Sequence, residues 1–106
     1  MGYAKERGKL EKLSAKITGL TIYDDRSLAI ITDIYEQYSH TIRILKNKDP
    51  ENFNELYIND LQQVKEFKKS LKVSEEDEDR QSKFLKYKEV LMAAMVKTIL
   101  VTNTIL

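Results

Sequence analysis

The chain has 106 residues, a net charge of +1, no cysteine and a single histidine. That length fits one domain spanning 1–106, and the balanced charge gives no global pull toward nucleic acid or membrane. Without cysteine there is no disulfide, thiolate catalysis or sulfur-bound zinc, and one histidine excludes a multi-histidine metal site.

An apolar share of 42% beside a charged share of 33% suits helices with heavily charged outer faces. Three glycines and one proline leave little material for the turns of a sheet protein. The first segment runs from Tyr3 to Thr18 and places Tyr3, Leu10, Leu13 and Ile17 on one face, with Leu20 continuing the spacing. Gly8 weakens its first turns, and Gly19 is placed to end it. Thr21 to Asp24 reads as a connector, with Asp24 or Asp25 as the N-cap of the second segment.

From there to Lys46, Leu28, Ile31, Tyr35, Tyr38, Ile42 and Leu45 alternate at steps of three and four. Ile30, Ile34 and Thr41 widen that seam, so the helix is expected to touch two neighbours, with Asp33, Glu36, His40 and Arg43 toward solvent. Asn47-Lys48-Asp49-Pro50 is a turn in which Asp49 can cap and Pro50 fits the first helical position. So short a link between two helices predicts an antiparallel hairpin. The third segment, Pro50 to Leu71, aligns Phe53, Leu56, Tyr57, Val64, Phe67 and Leu71, and uniform helical spacing puts Asp60 near the middle of that apolar face. An unpaired carboxylate there would be costly, so Asp60 needs a partner or an edge position.

Ser74 to Asp79 reads as an acidic helix start, with Ser74 and Asp77 at capping-box spacing. The fourth segment is expected from Glu75 to Thr104. Its last stretch, Val90 to Leu106, has Lys97 as its one charge and is apolar in nearly every direction around the helix. Such a stretch must be surrounded. It lies at the low edge of the roughly 20 residues a membrane span needs, and its threonines and Asn103 weaken it further. Either this helix is broken near Arg80 or its end projects beyond the other three.

These segments together predict an all-α, antiparallel up-and-down four-helix bundle with a long, apolar C-terminal helix. The expected core is Leu13, Ile17, Leu28, Ile31, Tyr35, Ile42, Leu45, Leu56, Val64, Phe67, Leu71, Leu91, Met95 and Val101. Tyr35 and Tyr38 could stack bases or anchor an interface, but their spacing reads as core-edge residues whose hydroxyls reach the surface. The charged start (Lys5, Glu6, Arg7, Lys9) lacks the apolar tract of a secretory signal, which reads as a cytoplasmic protein.

No phosphate-cradling glycine loop, paired-carboxylate arrangement or nucleophile motif is present, so no catalysis and no cofactor is expected. The run Glu75 to Asp79 lacks the glycine and alternating ligands of a calcium loop, and His40 falls on a charged face. In size and helical layout the chain resembles bacteriocin immunity proteins, small subunits of RNA-guided complexes and short inhibitors carried by phages or mobile elements. That likeness rests on length and helix count, matches no motif and assigns no residue a role.

The expected function is a non-enzymatic protein-interaction module, a small regulator, inhibitor or immunity-type binder that occupies a partner's surface or pairs with itself. Its candidate interface is Asp60, Ile99, Leu100, Ile105 and Leu106. The alternative is a nucleic-acid-associated subunit. It would use Lys5, Arg7, Lys9, Lys12 and Lys16 with Lys65, Lys68, Lys69 and Lys72, if the first and third helices lay side by side.

Overall fold

A computed structural model describes residues 3–73 and 76–104, without the side chain of Asp77. The described residues are all-α, with no strand among them: α1 is Ala4–Thr18, α2 is Asp25–Lys48, and α4 is Asp77–Thr104. Between α2 and α4, α3 joins Pro50–Glu55, a π-helical turn Leu56–Asp60 and Leu61–Lys72 into one rod.

The helix ends follow from local chemistry. Asp24 is extended and its carboxylate accepts the Ser27 N–H at 2.7 Å, satisfying one of the free donors of the first turn of α2. Gly19 follows the end of α1 in a right-handed conformation, and the N–H groups of Gly19 and Leu20 close on Lys16 and Ile17. The stop at Thr18 therefore needs no left-handed residue. Pro50 opens α3 as expected, but the Asp49 carboxylate does not cap the backbone. It accepts instead from the Tyr3 hydroxyl at 3.2 Å and the Asn52 amide at 2.7 Å, tying the start of α1 to the α2–α3 turn. The capping pair expected at Ser74 and Asp77 lies outside the described residues.

Cross-helix contacts fix the relative directions. Glu6 at the start of α1 meets Lys48 at the end of α2 at 2.7 Å, and Tyr3 packs edge-on against Phe53. The Lys46 ammonium sits over the Tyr57 ring, and Lys68, further along α3, sits over Tyr35, further back along α2. At the other end, Gln81 of α4 clasps the α1–α2 connector with both ends of its amide: its oxygen accepts the Tyr23 N–H at 2.6 Å and its nitrogen donates to the Thr21 carbonyl at 3.0 Å. α1 and α3 each pack on α2 and on α4.

The core is made of Leu10, Leu13, Ile17, Leu20, Ile31, Ile34, Tyr35, Tyr38, Ile42, Leu45, Phe53, Leu56, Leu61, Val64, Leu71, Phe84, Tyr87, Leu91, Ala94 and Met95. Three residues expected inside, Leu28, Phe67 and Val101, are only partly buried and pack against its margin. α4 is unbroken through Arg80, and no helix among the described residues is long and apolar enough to cross a membrane.

Candidate interaction site

The site grows out of an irregularity in α3. Its core positions Phe53 and Leu56 are three apart, but the next, Leu61, comes five later, followed by Val64 and Leu71. Five residues of regular helix would turn Leu61 about 140° away from Leu56. The π-helical turn accommodates the extra residue and brings Leu61 inside, at 2% exposure. The same step rotates Asp60 off the middle of the apolar face to its edge. This corrects the uniform-helix reading, which placed Asp60 at the centre and left Leu61 out of the core.

At that edge the Asp60 carboxylate, 16% exposed, meets the Lys97 ammonium of α4 at 3.3 Å, with Lys97 itself 64% exposed. Asp60 thus has a partner within the chain. Two shallow depressions flank this pair. One, of about 200 Å³, runs along α4 past Val90, Ala93 and Ala94, and the other, of about 190 Å³, reaches Asn52, Glu55 and Val101. Asp60 also raises the Tyr38 phenol, whose pKa is pushed up mainly by burial. The Tyr38 hydroxyl is buried without a hydrogen-bond partner among the described residues, contrary to the expectation that it reaches the surface.

α4 resolves its all-round apolarity in an uneven way. Leu91, Ala94 and Met95 face inward together with two threonines, Thr98 and Thr102, both almost fully buried. Each threonine hydroxyl donates back to its own helix, Thr98 to the Ala94 carbonyl at 2.8 Å and Thr102 to the Ile99 carbonyl at 2.6 Å, so burial leaves neither unsatisfied. With polar side chains taking inward positions, apolar ones are left outside: Leu85 is 41% exposed, Val96 42% and Leu100 57%. Ile99 is half-buried, packed against the core margin. Ile105 and Leu106 lie outside the described residues.

The lysine clusters are not assembled into one strip. Lys5, Lys9, Lys12 and Lys16 are exposed on α1, and Lys65, Lys69 and Lys72 on α3, while Arg7 and Lys68 are half-buried. α2 and α4 lie between the two carrier helices. His40 is exposed beside a depression shared with Lys5, Glu6 and Lys48. Among the described residues no group of acidic or histidine side chains could hold a metal ion. No family model, characterised protein or solved structure matches the chain.

Proposed function

We propose that the chain is a non-enzymatic protein-interaction module whose contact surface is the outer face of α4, with a second copy of the chain as its partner. The observation that carries this reading is the exposed apolar stripe. The exposed Leu85, Val96 and Leu100 and the half-buried Met92 fall within about 80° of arc on α4, an arc that carries Glu89 as its one charge between Leu85 and Leu100. Ala93, exposed at the edge of the stripe and midway along it, lets another backbone approach closely.

A charge within the stripe and one beside it favour self-recognition. Glu89 and Lys97 lie four residues before and after Ala93, and both are exposed. Two copies of α4 crossing antiparallel at Ala93 would set Glu89 of one against Lys97 of the other, twice, as a two-fold contact requires, with Lys97 shared between that Glu89 and its own Asp60. By covering a surface in this way, small regulators, inhibitors and immunity-type binders act. The nucleic-acid reading is not carried forward, because it depended on α1 and α3 lying side by side.

Sedimentation equilibrium tests the proposal. The expected result is a mass that rises with concentration above 12.4 kDa, with Leu100→Asp and Glu89→Lys both returning it to the monomer value. A wild-type mass fixed at 12.4 kDa up to about millimolar concentration, far above the range of specific interfaces, overturns it.

A further inference from the structure

A second site stands apart from the outer face of α4. A cavity of about 300 Å³ opens where the beginning of α2, the end of α3 and the beginning of α4 converge. That is room for a small organic molecule rather than a lone ion. Its lining divides by chemistry. Leu28 and Leu71 are apolar, while Lys68, Lys72 and Arg80 bring positive charge. Tyr87 also lines it, and the Tyr87 hydroxyl is buried with no hydrogen-bond partner although the residue is only 1% exposed.

Buried hydroxyls are almost always paired, and one left unmet is held at a cost that an acceptor would remove. Lys68 is already placed: its ammonium lies 4.2 Å over the Tyr35 ring, which holds it at the bundle instead of letting it trail in water. A donor without an acceptor, two ammonium groups and an apolar wall all meet around one empty volume.

We propose that this cavity binds a small aromatic anion, its ring against Leu28 and Leu71 and its carboxylate or phosphate oxygens held by Lys68, Lys72 and the Tyr87 O–H. Tyr23, whose ring packs edge-on with Phe84, forms a further aromatic side of the cavity. A phenol donating to an anion makes a charge-assisted hydrogen bond in a sheltered place, so it discriminates an anion from a neutral ring.

The test is an NMR titration of the full chain with benzoate and with phenyl phosphate, beside inorganic phosphate and benzyl alcohol. At least one aryl anion should shift the Thr32, Lys72 and Tyr87 amides saturably, with inorganic phosphate and benzyl alcohol at least about tenfold weaker. Tyr87→Phe should weaken aryl-anion binding about tenfold without lowering the melting temperature, since it removes a hydroxyl that bonds to nothing in the free protein. Lys72→Met, a change at an exposed side chain, should weaken it as well. No saturable shift with either anion overturns the proposal, as does a Tyr87→Phe chain that binds as tightly as wild type or an inorganic phosphate affinity equal to that of phenyl phosphate.

Discussion

Two interior hydroxyls, on Tyr38 and Tyr87, have no hydrogen-bond partner, and burial pushes both phenols well above their ordinary pKa of 10.0. A phenol whose folded pKa exceeds its unfolded one contributes stability in full below pH 10, and that stability drains as pH climbs from there toward the folded value. Circular dichroism should therefore show helix loss beginning near pH 10, and the double variant Tyr38→Phe, Tyr87→Phe should hold its helix to higher pH. On the acid side the signs reverse. The Lys48 hydrogen bond holds the Glu6 carboxyl below its ordinary range, and the Ser27 N–H does the same for Asp24. Their contributions are complete above the ordinary carboxyl pKa values of 4.5 and 3.8, and are lost as pH falls through the lowered folded ones. Asp60 has less effect on stability than its place on an apolar face implies. Lys97 is largely solvated, so Asp60→Asn should cost no more than about 1 kcal/mol in urea unfolding. That Asp60 needed a partner was readable from its neighbours; that the partner would be Lys97, on another helix, was not, because no local spacing links them.

The π-helical turn decides which side of α3 faces the core. Regular spacing assigns Phe53, Leu56, Val64 and Leu71 to the inside correctly; it fails across the inserted residue, where Leu61 replaces the Tyr57–Asp60 line, and at Phe67, which reaches only the core margin. No gap in the apolar pattern marks it, since Tyr57 and Ile58 stand between Leu56 and Leu61. Leu61→Ala should accordingly destabilise by about 2–4 kcal/mol, whereas Tyr57→Ala, at a half-buried position, should cost less. α2 carries no such insertion, and there the seam from Ile31 to Leu45 and its solvent face could be read directly. The part of α4 from Val90 onward was harder, since a stretch apolar in nearly every direction gives no phase. Its phase is set by the threonines, whose hydroxyls are free to turn inward because they bond to their own backbone.

At the scale of the molecule, an all-α chain with no strand among the described residues followed from composition and periodicity, because each helix carries enough local signal to be seen alone. Which helices would be neighbours was not encoded locally. α1 and α3 are separated by α2 and α4, and that arrangement parts the lysine clusters that a side-by-side pairing would have joined. Stability and association should also separate by site. Ile31→Ala, in the sealed interior, should lower the unfolding free energy by about 2–5 kcal/mol and leave self-association intact. Leu100→Asp, on the open stripe, should do the reverse, changing the urea midpoint little while abolishing the concentration dependence of the mass.

The two-handed grip of Gln81 on Tyr23 and Thr21 ties together positions about sixty apart in the chain. Connectors ordinarily breathe on their own clock, but the Tyr23 amide can exchange its proton with solvent only when the Gln81 side chain lets go, by turning away or with the first turns of α4. Deuterium uptake at Tyr23 should therefore be slow for a loop, and Gln81→Ala should quicken it sharply while amides in the middle of α2 keep their pace. A short stretch of irregular backbone would then act as a gauge of how firmly the last helix is seated.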